Sequence, residues 1–125
     1  MTGENVAIIG AGFGGLAMAI ALKRRGIDSF VVFEEATRLG GTWRDNTYPG
    51  AACDIPSHLY SYSFAPYRDA ETRYPPQREI LGYLENCATR FGLRPHLRFG
   101  VRIIAARYDE DSAHWTLEPR TGPGT

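Results

Sequence analysis

The sequence predicts an α/β fold with parallel strands, and three observations carry that prediction. A β-branched run stops at a glycine turn, a helix begins inside that turn, and a second apolar run ends in two acids.

Val6 to Ile9 is the kind of short β-branched run that pairs in the middle of a parallel sheet. It ends at Gly10, and a helix is expected from about Phe13 to Arg25, because Leu16 to Arg25 are nearly all good helix formers. Gly26 supplies the left-handed residue that commonly closes such a helix. Gly10, Gly12 and Gly15, in GAGFGG, fall at G-x-G-x-x-G spacing, and each has a separate task. Gly10 makes the tight turn, Gly12 lets backbone approach a pyrophosphate, and Gly15 lets helix pack on strand. The phosphates would sit at the helix's positive end, where backbone N–H groups, Phe13's among them, favour an anion.

Such a glycine turn also occurs for purely structural reasons, so the second strand adds weight to it. Phe30 to Phe33 is apolar and runs into Glu34 and Glu35, nineteen and twenty positions after Gly15. That is where a ribose-binding carboxylate belongs in a Rossmann-like βαβ unit. A carboxylate accepts hydrogen bonds from ribose hydroxyls and repels a 2′-phosphate, so the adenosine half expected here is that of FAD or NAD.

Composition sets further bounds. At 125 residues the chain is one domain at most, and 14 basic and 14 acidic side chains cancel without blocks of one sign. Neither nucleic-acid nor membrane binding is expected. Val6 to Leu22 is apolar but contains four glycines and follows an acidic start, so it reads as a core segment of a soluble cytoplasmic protein. Cys53 and Cys87 lack C-x-x-C spacing and are expected to be reduced. His58, His96 and His114 are scattered, so surface or packing roles are expected of them and no metal site.

From Ala36 to Pro76 the chain is irregular and rich in glycine, proline, tyrosine and serine, a length of loop that implies work. Gly40 and Gly41, in LGGTW, allow backbone to approach a ligand, while Trp43 is read equally well as a core plug. After Pro75-Pro76, Gln77 to Phe91 is expected to be helical, with Ile80, Leu84, Cys87 and Phe91 on one face and Gly92 as its end. Phe99 to Tyr108 is expected as one strand, Asp109 to Ser112 as a polar turn and His114 to Glu118 as the returning strand of a hairpin that packs on the nucleotide unit. Arg98, Arg102 and Arg107 are read as solvent-facing or edge residues.

GAGFGG, together with GGTWRDNTYPGAACDIPSHLYSYSFAP from Gly40 to Pro66, resembles the amino-terminal FAD domain of flavin-dependent Baeyer–Villiger monooxygenases, within the flavin-containing monooxygenase group. The resemblance runs from about Val6 to Trp115. It implies an FAD site in which Gly10, Gly12, Phe13 and Gly15 hold the pyrophosphate and Glu34, rather than Glu35, takes the ribose. Gly41, Thr42 and Trp43 would lie along the flavin side, and Tyr60 close to the cofactor. The family's Cys-Asp-x-Pro element matches Cys53, Asp54 and Pro56, which puts Asp54 near the isoalloxazine ring as the catalytic candidate, beside an arginine supplied later in family chains. An ordinary turn or capping carboxylate is the alternative for Asp54. The implied activity is oxygenation of a ketone with NADPH and O₂. A nucleotide-binding module without turnover, or an N- or S-hydroxylating flavoprotein, are the other classes in view.

The departures count as well. Family members carry a second glycine motif for NADPH and an F-x-G-x-x-x-H-x-x-x-W sequence, and neither occurs in these 125 residues. Arg44 and Asp45 replace aromatic residues that many relatives have after the tryptophan. The expectation is therefore an incomplete FAD-binding domain, inactive alone. It comprises a βαβ motif over 1–35, a flavin-contacting segment over 36–76 and a helix with hairpin over 77–118, with the NADPH site outside the chain.

Overall fold

A computed structural model of the chain describes residues 5–41 and 77–121. Strand β1 (Val6–Ile9), helix α1 (Phe13–Arg24) and strand β2 (Phe30–Glu34) follow in succession. β1 and β2 pair in parallel, with Val6 opposite Phe30 and Ile9 opposite Phe33. The Gly10 N–H carries that ladder one residue into the turn by donating to the Phe33 carbonyl at 2.7 Å. Strand alternation then sorts the side chains. Ile8, Phe30, Val32 and Glu34 are buried, whereas Ala7 and Ile9 are exposed.

α1 lies on the sheet through Leu16, Ala19 and Ile20, all fully buried. Burying a side chain the size of Leu16 or Ile20 stabilises by about 1.5–3 kcal/mol. Its end is a Schellman motif: Gly26, at φ +76°, donates to the Lys23 carbonyl, and the Ile27 N–H donates to the Leu22 carbonyl at 2.9 Å. Helix α2 (Gln77–Arg90) closes the core from the other side of α1. Ile80, Leu84 and Cys87 are buried, as their spacing predicts, and Phe91 is half-buried. Leu81 and Ala88 widen the face. The Tyr83 ring stacks on Phe13 at 6.1 Å, and the Arg38 guanidinium pairs with Glu85 at 2.7 Å. α2 ends as α1 does, with Gly92 at φ +71° and the Leu93 N–H donating to the Ala88 carbonyl.

The single strand expected over Phe99 to Tyr108 is two strands in the structure. A 3₁₀ turn (Arg94–His96) leads into β3 (Leu97–Phe99), which adds to the free edge of β2 in parallel, with Val32 opposite Leu97. The sheet order is β1-β2-β3. Leu97 is the reason: its buried side chain belongs to the main apolar cluster and ties the short strand to the sheet. Gly100, at φ +71°, then breaks the line and starts β4 (Val101–Asp109). β4 pairs antiparallel with β5 (His114–Thr121), which runs past the expected end at Glu118. The hairpin packs on the βαβ unit as expected, through the Gly100 N–H donating to the Ala36 carbonyl at 3.0 Å.

His96 has a packing role, its ring stacked on Phe30 at 3.9 Å with Nδ1 3.0 Å from the Phe30 carbonyl oxygen. His114 is exposed on the hairpin. Cys87 is a free thiol, and burial pushes its pKa up against the smaller opposing effects of Tyr83 and Arg90. Cys53 and His58 lie outside the described residues.

Gly82 within α2 and Gly92 just past its end should respond to the same substitution with opposite signs. Gly82 is exposed mid-helix, and an added Cβ meets nothing within 4 Å. Gly82→Ala should therefore stabilise by about 0.5–1 kcal/mol. Gly92→Ala should destabilise by about 1–2 kcal/mol, because its φ of +71° is strained for any residue with a Cβ. Urea midpoints of the two variants check both signs.

Candidate dinucleotide site

The site is built where β1 ends. Gly10, at φ +97°, turns the chain sharply, and Ala11, fully buried, is held from two directions. Its N–H donates to Glu34 Oε1 at 2.9 Å, and its carbonyl accepts from the Gly40 N–H at 2.9 Å. Glu34 Oε2 accepts from the Ala36 N–H, also at 2.9 Å. The acid at the end of β2 thus ties the glycine turn to the chain leaving the sheet. Glu34 is 4% exposed, yet it lines a cavity of about 360 Å³ with Gly10, Gly12 and Gly41.

Gly10 makes the turn and Gly15 the close helix approach that the spacing implies, and Gly41 joins them. A Cβ on Gly15 would run into the Gly10 carbonyl oxygen, so only glycine lets α1 lie this close to the turn. Gly12 faces Gly41 backbone to backbone. A Cβ on Gly41 would stand 3.3 Å from the Gly12 Cα, and its φ of +55° also favours glycine. α1 begins at Phe13 with Gly12 as its N-cap, without a side-chain cap and without an acid in its first turn. An acid there would compete with a bound anion for the helix's positive end. The Phe13 ring is stacked on Tyr83, and Phe13 is not among the described residues that line the cavity.

Glu34 and Glu35 are separated clearly. Glu34 points inward to the turn, whereas the Glu35 side chain is 63% exposed and pairs with Arg102 Nε at 3.6 Å. Arg102, expected to be a solvent-facing or edge residue, is exposed and also lines the cavity, with Val101 and Ile103 next to it in β4. The signal for this wall was the glycine after Phe99, which starts a new strand at the mouth of the turn. Thr42, Trp43, Asp54 and Tyr60, together with Cys53 and Pro56, lie outside the described residues. Among the described residues no group of His, Cys, Asp and Glu could hold a metal ion, and no helix is long and apolar enough to cross a membrane.

This βαβ geometry agrees with comparisons to known proteins. The family model for the NAD(P)-binding Rossmann-like domain matches residues 8–73, more than half of the chain. The chain belongs to that family. Within it, a Baeyer–Villiger monooxygenase of Streptomyces coelicolor is 52% identical over 118 residues, covering 94% of this chain and 23% of the relative. An FAD-binding monooxygenase of Aspergillus niger, ktnD, is 42% identical over 118 residues, covering 94% of this chain and 19% of its own length. Among solved structures, an oxidized steroid monooxygenase bound to NADP superposes with a TM-score of 0.87 at 40% identity, over 94% of this chain and 23% of that one. The chain therefore spans about a quarter or less of the length of these relatives.

Replacing Glu34 by Gln tests the tie at the centre of this Rossmann-like unit. An amide can accept from one of the Ala11 and Ala36 N–H groups but must turn its NH₂ toward the other. Leaving one buried donor unpaired should cost about 1–3 kcal/mol of stability. Thermal and urea unfolding of Glu34→Gln beside Glu79→Gln, on the polar start of α2, measure it.

Proposed function

We propose that this chain is the dinucleotide-binding portion of an FAD- and NADPH-dependent monooxygenase of Baeyer–Villiger type, with an organic ketone and O₂ as co-substrates, acting in the cytoplasm. The observation that carries the proposal is the inward Glu34 carboxylate, fixed 2.9 Å from the glycine-turn N–H of Ala11 in a chain 52% identical to a Baeyer–Villiger monooxygenase. The domain extents and residue roles are part of the proposal: residues 1–35 bind the adenosine diphosphate half, 36–76 run along the flavin, and 77–118 complete the scaffold.

The residues present fit a dinucleotide. Gly12 and Gly41 leave a backbone cradle that side chains would fill, and the uncapped start of α1 offers its N–H groups to a pyrophosphate. Glu34 accepts from the ribose hydroxyls while Ala11 and Ala36 hold it in place. A carboxylate there disfavours a 2′-phosphate, which leaves FAD or NAD for this site; the likeness to an FAD-binding monooxygenase favours FAD, with the NADPH site elsewhere in the parent protein. FAD, when bound, supplies the redox and oxygen chemistry, and the chain's own work is to hold and orient it. Gly41, Thr42, Trp43 and Tyr60 belong on the flavin side, and Asp54 is the catalytic candidate beside the ring.

The test is direct. The purified parent protein should be yellow, release FAD on denaturation, and consume NADPH in a ketone-dependent reaction that forms an ester. Protein that takes up NAD but not added FAD would contradict the cofactor assignment. FAD binding without ketone-dependent turnover would contradict the Baeyer–Villiger activity and leave a flavin-binding module.

A further inference from the structure

Beyond the glycine turn and Glu34, the structure points to a second recognition element at the adenosine end of the cavity. We propose that Arg102, held by Glu35, is a positioning residue that covers the adenine base; this rests on the dinucleotide reading above. The order of groups along the cavity gives the location. The start of α1 faces the phosphates and Glu34 faces the ribose, so the base lies beyond Glu34, on the side away from the helix. Among the described lining residues, Glu35 follows Glu34 directly and Val101, Arg102 and Ile103 come from the start of β4.

Three features aim this wall. Gly100, at φ +71°, turns the chain from β3 into β4, and its N–H bond to the Ala36 carbonyl fixes the first residues of β4 beside the end of β2. The β4–β5 register shifts between Ile103 and Ala105, directly after the wall. Bulges of this kind bend a strand and re-aim its side chains. Finally, Arg102 is the one cation among the described lining residues, and its Nε stands 3.6 Å from Glu35 Oε2.

An exposed ion pair of this kind adds little to stability. What it does is restrict a long side chain before the ligand arrives, which lowers the ordering cost of binding. A guanidinium is flat, always charged and weakly hydrated, so it stacks on a π face in a way that lysine's compact ammonium cannot. Val101 and Ile103, both half-buried, alternate with Arg102 along β4 and turn to its other face, so Arg102 is the outward side chain of this stretch.

The experiment uses the parent protein freed of nucleotide, with ADP and with ribose 5-diphosphate, which lacks the base, as the two probes. Arg102→Ala should weaken ADP about tenfold and leave ribose 5-diphosphate within about twofold. Arg102→Lys keeps the charge without the flat face and should recover less than half of that loss on a logarithmic scale. Glu35→Gln should produce a smaller loss, again for ADP alone. Equal losses for both probes in Arg102→Ala would overturn the proposal in favour of a general charge or structural effect, and so would no loss for either. If the unsubstituted protein binds neither probe, the dinucleotide reading fails and this one with it. If it binds both and the variants do not discriminate, only the adenine role fails.

Discussion

The 2.9 Å bond from the Ala11 N–H to the Glu34 carboxylate is the constraint on which the rest of the structure depends. It joins the turn after β1 to the last residue of β2, twenty-three positions away in sequence. A buried carboxylate is costly unless it is well bonded, and here the cost is offset by two backbone donors, one on each oxygen. The same turn residue receives Gly40, so the segment leaving β2 is drawn back across the turn until Gly41 meets Gly12. Ala36, bonded to Glu34 through its N–H, offers its carbonyl to Gly100 and so docks the hairpin. Glycine turn, returning segment and hairpin are thus linked through one side chain.

Around this polar centre the stabilisation is apolar and ordinary. Leu16, Ile20, Leu84, Leu93 and Val32 are fully buried among the sheet and the two helices of the described residues. Each helix is stopped by a glycine in the left-handed region, which satisfies the last carbonyls and sends the chain back toward the sheet. The opposite face of the sheet differs. Ile9 is 58% exposed and Trp115 of the hairpin 64% exposed, so the hydrophobic effect acts there only in part.

What sequence made legible follows from how local each signal is. The βαβ unit was readable because strand, glycine turn, helix and acid lie within thirty residues, and each residue type has one physical use at its position. The face of α2 was readable from the spacing of Ile80, Leu84 and Cys87. The division at Gly100 was not, because Leu97 to Phe99 is too short to announce a strand and is held by a non-local neighbour, Val32. The wall at Arg102 was hidden for the same reason: an arginine in a β run reads as solvent-facing or edge, which Arg102 is, and only the docked hairpin brings it to Glu35. Glu34 and Glu35 were distinguished by resemblance alone, and strand alternation supplies the physical cause, since Glu34 shares the inward side with Phe30 and Val32.

Backbone amide hydrogen exchange by NMR tests the central bond most directly. If Glu34 holds the turn, the Ala11 amide should exchange as slowly as the strand amides of β1 and β2, although its partner is a side chain rather than a ladder carbonyl. Substituting Glu34 by Ala should then release Ala11 and Ala36 to much faster exchange while the Leu16 amide, bonded to the Gly12 carbonyl within α1, stays protected. An Ala11 amide that exchanges at the rate of an open loop in the unsubstituted protein would contradict the account.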